Sequence, residues 1–312
     1  MRASLTLPIA IITGIISYFA YVSIHALDYT HQAVSQIIAY LQPALLFVML
    51  FVSFCKVSPK ELRPKRWMLK MLGFQIISFS LLGTLIICIQ DIAGKAVIES
   101  LMICLICPTA TAASVVTTKL KGNPSTVVSY TCLINLAAAI AIPSVVSFIH
   151  EKNMEYDFIT SFTLIIGKVF PLLILPLLLA WLVKYMFPNI HRRIVSYKDL
   201  AFNLWAVALT LAIAITMKAI THTDKSFIEL TCIALASLLS CCIQFYIGRR
   251  IGKQHNEPIA GAQSLGQKNT IFAIWVGYTF LDPVTAMAGG FYSVWHNVIN
   301  SWQLYKTGKN NY

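Results

Sequence analysis

The sequence predicts an all-α polytopic membrane protein with ten transmembrane helices, arranged as two inverted five-helix halves. Three observations predict it. Apolar stretches of about 20 residues, the length that crosses a bilayer, recur along the whole chain. Only 12% of the 312 residues are charged, half of the roughly 25% usual in soluble domains. The lysines and arginines crowd into alternate polar linkers.

Taken in order, the spans fall at about 5–25, 33–55, 69–89, 97–119, 124–149, 158–184, 200–219, 227–247, 258–281 and 284–305. The first is longer than a signal-peptide core of ~7–15 residues, so it reads as a span and not as a cleaved leader. The linkers are short and polar: KVSPKELRPKRW, EKNMEYD, FPNIHRRIVSYKD, THTDKS and GRRIGKQHNEP. No separate soluble domain is expected; residues 1–312 read as one transmembrane domain, with repeats at about 1–150 and 151–312. The eight cysteines, Cys55, Cys104 and Cys107 among them, lie mostly in apolar runs without the spacing of a disulfide or zinc site. They read as small apolar residues.

Charge gives the orientation. With a cytoplasmic N-terminus, 18 of the 24 lysines and arginines fall inside and four (Lys95, Lys152, Lys218 and Lys225) fall outside, while Lys168 and Lys268 lie within spans. The positive-inside rule then places both termini in the cytoplasm. It also accounts for the net charge of +12 without a nucleic-acid partner.

Ten spans divide into five and five. Halves with an odd number of spans have opposite orientation, which is the plan of many secondary transporters. That plan expects interrupted segments at matching places, and spans 4 and 9 supply them. Span 4 contains CPTATAAS, residues 107–114, and span 9 contains QSLGQKN, residues 263–269. Proline removes a backbone donor and glycine loosens a helix. The freed backbone groups must line a protein-enclosed cavity, because lipid cannot satisfy them.

At these residues the chain resembles the bile acid:sodium symporter family. CPTATAASVVTTKLKGN (107–123) is similar to that family's CPGGTASNVMTYLAKGN-type segment. EPIAGAQSLGQKNTIFA resembles the segment around its E-x-G-M-Q-N motif. YSVWHNVINS (292–301) is similar to its FSVWHN-I-GS stretch, and KVFPLLILPLLLAWLV (168–183) resembles its proline-containing sixth span. The resemblance implies a panel of spans 1, 2, 6 and 7, a core of spans 3–5 and 8–10, and unwound helices 4 and 9 that cross. It implies a small-molecule cargo, an amphipathic organic anion such as a bile acid or a smaller carboxylate such as pantoate. It also implies two sodium ions near the crossing and a bacterial inner membrane as the home.

The sodium-site positions depart from the family pattern. Aligned on Gly266, the family's crossover glutamate falls on Ser264, its methionine on Gln267 and its glutamine ligand on Lys268; Asn269 alone is kept. Its Ser-Asn pair in span 4 falls on Ala113 and Ser114. In span 5 a serine ligand falls on Val127 and a threonine remains as Thr131, while Gln75 matches a glutamine in span 3. A register shift of one brings in Gln263, but no acid lies nearer than Glu257. Sodium prefers oxygen ligands, so this set is degenerate.

Lys268 carries a +1 charge on a flexible stem, and it is expected to replace sodium in the second site by binding unwound carbonyls and Gln75. A lysine that releases its proton in one state of the cycle would couple transport to protons; a uniporter with no coupling ion is the alternative, and no other cofactor is expected. Thr111, Ser114 and Thr117 share one face of the half-helix after the first break and read as cavity-lining. His296 and Asn297 match the family motif in span 10; Asn297 is expected to face the cavity and His296 is a second candidate for a proton role. Lys168 either faces the cavity or has no part in it. Asn135 reads as an interhelical hydrogen bond, worth ~0.6 kcal/mol on average.

Other function classes find little support. No HExxH, GxSxG or intramembrane aspartate pair suggests a membrane enzyme, and no GxxxxGKS-type loop suggests an ATP-driven pump. A receptor or scaffold with the transporter fold stays open, as does a sodium symporter with a rearranged ion site. No residue pattern speaks to oligomeric state, and membrane lipid is the only other partner expected.

Overall fold

The computed structural model describes residues 2–24, 29–89, 92–151, 157–197 and 199–309. Lys152 and Lys198, counted in the charge balance, lie outside them. Among the described residues the regular structure is helical: α1 (Arg2–Ser23), α2 (His31–Phe54), α3 (Met68–Cys88), α4 (Lys95–Ile106), α5 (Ala113–Lys119), α6 (Pro124–Glu151), α7 (Phe158–Met186), α8 (Pro188–Ser196), α9 (Leu200–Thr221), α10 (Phe227–Lys253), α11 (Pro258–Gly266), α12 (Thr270–Phe280) and α13 (Ala286–Lys309). Six helices are long and apolar enough to cross a membrane, namely α2, α3, α6, α7, α9 and α10. The protein is an integral membrane protein. α13 is of similar length, but Ser293, His296 and Asn300 form a polar stripe along it at i, i+3 and i+7.

Local signals set the helix ends. Gly94 takes φ 71°, a left-handed conformation that glycine adopts without strain, just before α4. Pro188 and Pro258 open α8 and α11, where their fixed φ suits the first turn. The Ser226 hydroxyl accepts from the Glu229 N–H and caps α10. One linker departs from its expected form. FPNIHRRIVSYKD contains α8, whose Ile190 and Ile194 share one face, with Arg193 beside them and Arg192 on the other side. The His191 ring fixes this helix to the Cys55 carbonyl at 2.7 Å.

α1 packs on α9, and α2 packs on α7 and α9. α3 packs on α4 and α6, and α10 packs on α4, α11 and α13. The α10–α11 seam is the closest. A Cβ on Gly248, Gly252 or Gly261 would overlap backbone of the facing helix, so small residues let the chains meet as they do in other membrane bundles. In the loop before α11, Glu257 ties three elements together. Its Oε1 accepts from Lys65 Nζ at 2.7 Å, Asn123 Nδ2 at 2.9 Å and Thr126 Oγ1 at 3.0 Å. Burial pushes the Glu257 pKa up, but these hydrogen bonds and the Lys65 charge outweigh burial and hold it below the usual carboxylate value.

Candidate functional site

The segments expected to be interrupted are interrupted, and they meet. Residues 107–112 separate α4 from α5, and residues 267–269 separate α11 from α12. Thr109 and Lys268 form an isolated antiparallel bridge. Ala110 N–H donates to the Gln267 carbonyl at 2.9 Å, and Asn269 N–H donates to the Pro108 carbonyl at 2.8 Å. Each break thus satisfies backbone groups that the other has freed. The Thr109 hydroxyl adds a bond to the Ser264 carbonyl, and the Cys107 thiol one to the Asn269 carbonyl at 2.9 Å.

Lys268 is 1% exposed. Its Nζ donates to the Leu105 carbonyl at 3.3 Å, in the last turn of α4. The carbonyl end of a helix carries partial negative charge, and α11 also ends at the crossing. Among the described residues no carboxylate forms an ion pair with this lysine. The Leu105 carbonyl and the ends of α4 and α11 are therefore the polar groups that meet this lysine.

Two glutamine–tyrosine pairs flank it. On α3, Gln75 Nε2 donates to the same Leu105 carbonyl at 2.6 Å and to that of Cys107 at 3.4 Å, while its Oε1 accepts from the Tyr130 hydroxyl at 2.6 Å. Gln75 and Lys268 meet at a shared carbonyl instead of bonding each other. On α10, Gln244 Nε2 donates to the Cys104 carbonyl at 3.0 Å and to the Tyr292 hydroxyl at 3.1 Å; that hydroxyl donates to the Gly266 carbonyl at 2.8 Å. Tyr130, Gln244 and Tyr292 did not stand out in the sequence, where a tyrosine in a span reads as apolar. A signal was present: each tyrosine is the seventh residue of its helix, in the last span of each half.

The degenerate sodium positions divide in two. Ala113 and Val127 pack with Ala260 in a small apolar cluster, so carbon fills positions where the family resemblance implies oxygen ligands. The Thr131 hydroxyl donates to its own helix at the Val127 carbonyl, 2.9 Å away. In contrast, the side-chain oxygens of Ser264 and Gln267 are buried and have no hydrogen-bond partner in the protein. The Asn269 oxygen accepts from the Phe272 N–H at 3.3 Å and caps α12.

Elsewhere, the half-buried Ser114 donates to the Thr111 carbonyl at 3.0 Å, and Thr117 is buried. His296 is buried with its ring edge-on to Tyr292, centroids 5.8 Å apart. Asn297, half-buried, donates to the Ser293 carbonyl at 2.7 Å. Gln263 bonds Asn300 at 2.9 Å and Gln303 at 3.1 Å. Asn135 is buried and its amide nitrogen has no partner. Lys168 lies apart, exposed on α7 with its Nζ 5.8 Å from the Phe280 ring.

Comparison with known proteins gives the family. No curated protein matches the chain. A model of the sodium bile acid symporter family matches residues 43–224, more than half of the chain and including the first break. The chain belongs to the sodium bile acid symporter family.

Proposed function

We propose that this protein is a secondary transporter that moves an organic anion across the membrane by alternating access, with Lys268 in the place of a coupling cation. Membership of the family points to a membrane transporter of organic anions, not to an enzyme. The finer reading rests chiefly on one observation: a fully buried lysine whose ammonium meets the Leu105 carbonyl at the crossing of two broken helices. A charge at mid-membrane costs ~2.5–3.5 kcal/mol on insertion scales, so it persists where carbonyls and helix ends hold it. α1, α2, α7 and α9 act as the panel and the remaining spanning helices as the core. The inverted repeat finds support in the paired glutamines of α3 and α10 and the paired tyrosines of α6 and α13. The cargo is a bile acid-like anion or a smaller carboxylate. Thr111, Ser114, His296 and Asn297 face its path from either side of the crossing. The membrane is a bacterial inner membrane, with both termini cytoplasmic.

A second reading has its own observation. The unpartnered buried oxygens of Ser264 and Gln267 are hard donors of the kind sodium takes, so a rearranged ion site would retain sodium coupling. Thermal melting in sodium and in choline at equal ionic strength separates the two, since a ligand of the folded state stabilises it by RT ln(1 + [L]/Kd). The lysine reading expects no sodium-specific shift in the wild type and a gained shift in Lys268→Gln. A saturable sodium shift in the wild type overturns it in favour of the rearranged site.

A further inference from the structure

At the membrane face that carries the excess of lysine and arginine, α10 and α13 leave a groove of ≈ 530 Å³ between them. Ile259 and Ala262 of α11 are part of its lining, and Phe245, Tyr246 and Ile299 are among its apolar residues. Tyr246 and Trp302 are 63% and 60% exposed, on the surface that a spanning helix turns to lipid. Among the described residues that line it, Arg249 and Lys306 are the charged ones, both basic and both exposed. Lys306 Nζ stands 5.3 Å from the Trp302 ring centroid, which holds the cation beside the groove.

This order of chemistry has one natural complement. Tyrosine and tryptophan gather where hydrocarbon meets headgroups. Basic side chains just beyond them attract anionic phospholipid. We infer that this groove binds one anionic phospholipid, its phosphate between Arg249 and Lys306 and an acyl chain along Phe245, Tyr246 and Ile299. The site lies outside the crossing and is independent of the cargo. A chain seated there touches α11, which is locked to α10 by the glycine seam, so lipid steadies the half-helix that leads to Lys268.

The test melts the purified protein in detergent with added dioleoyl phosphatidylglycerol or, separately, dioleoyl phosphatidylcholine. Phosphatidylglycerol is expected to raise Tm by several degrees more than phosphatidylcholine. R249Q/K306Q is expected to lose that difference, and R192Q/R193Q, which removes two cations of α8 at the same face, to keep it. Should R249Q/K306Q fold poorly, Cys242→Trp decides, because it fills the groove and leaves both cations; it too should lose the difference. Equal shifts with the two lipids, a difference retained in R249Q/K306Q or Cys242→Trp, or an equal loss in R192Q/R193Q would overturn the assignment. So would conversion of a dimer to a monomer by Cys242→Trp, which would make the groove a contact between copies.

Discussion

The Gln75–Tyr130 pair fixes α3 and α6 to the end of α4, and its energetics can be dissected by a double-mutant cycle. Tyr130→Phe removes one buried donor and leaves Gln75 Oε1 without a partner, at a cost of ~1–3 kcal/mol. Gln75→Leu leaves the Tyr130 hydroxyl, 0% exposed, without an acceptor, again ~1–3 kcal/mol. It also strips the Leu105 carbonyl of its 2.6 Å donor, leaving only Lys268 at 3.3 Å, for about 1 kcal/mol more. The double variant has neither orphan, so only the Leu105 term remains. Its cost is therefore expected to fall below the sum of the single costs by the two orphan terms together, ~2–6 kcal/mol, at or beyond the upper end of the ~0.5–3 kcal/mol found for contacting residues. The assay is reversible denaturant unfolding of the four proteins in one detergent. Costs that add to within ~0.5 kcal/mol would refute the reasoning, because they would mean that each partner finds another one when the first is removed.

Two further outcomes test the packing and the charge network. Gly261→Ala places a Cβ against the Gly248 carbonyl and 3.0 Å from Gly252 Cα, whereas a Cβ at Gly73 meets nothing within 4 Å. Overpacking costs ~1–3 kcal/mol, so Gly261→Ala should melt several degrees lower and slow uptake of a labelled organic anion into proteoliposomes. Gly73→Ala should melt at or above the wild type, helped by the ~0.8–1 kcal/mol that alanine gains over glycine in a helix; equal melting of the two variants sinks the seam argument. Glu257 has a folded pKa below its ordinary value, so its contribution is complete above the usual carboxylate pKa of about 4.3 and is lost as pH falls through the folded value. Wild-type Tm should hold steady above about pH 5 and drop below it, while Glu257→Gln should melt lower at neutral pH and lose less on acidification. A steeper acid loss in Glu257→Gln than in the wild type would contradict this.

Different parts of the molecule were legible to different degrees. Pro108 and Gly266 announce the breaks, because proline lacks a donor and glycine weakens a helix wherever they fall. That the breaks cross follows from the family resemblance, but which residues bridge them does not, since Thr109 and Lys268 meet through backbone groups that every residue carries. Gln75 stands out as an amide in an apolar run, but its acceptor role toward Tyr130 depends on packing between helices. α8 was hidden by its basic residues, although Pro188 and the i, i+4 pair Ile190 and Ile194 carried the helical signal. The apolar cluster of Ala113, Val127 and Ala260 joins three elements, and only their meeting shows that carbon fills the space.

Lys268 is part of the chain, so while it keeps its proton its charge does not exchange with the medium as a dissolved ion does. In the proposed cycle a monovalent anion neutralises it, and the filled carrier crosses the electric field with little net charge at its centre. The empty carrier then returns bearing one positive charge. Voltage therefore acts on the unloaded step, with up to 2.3 kcal/mol available per charge for each 100 mV crossed, roughly the full scale of the effect. A negative interior draws the empty site toward the cytoplasm and favours anion export. Two free sodium ions carried with one monovalent anion would instead leave one positive charge on the filled carrier and favour uptake. In that proposed cycle, the position of one ammonium group sets which way the membrane potential drives the cargo.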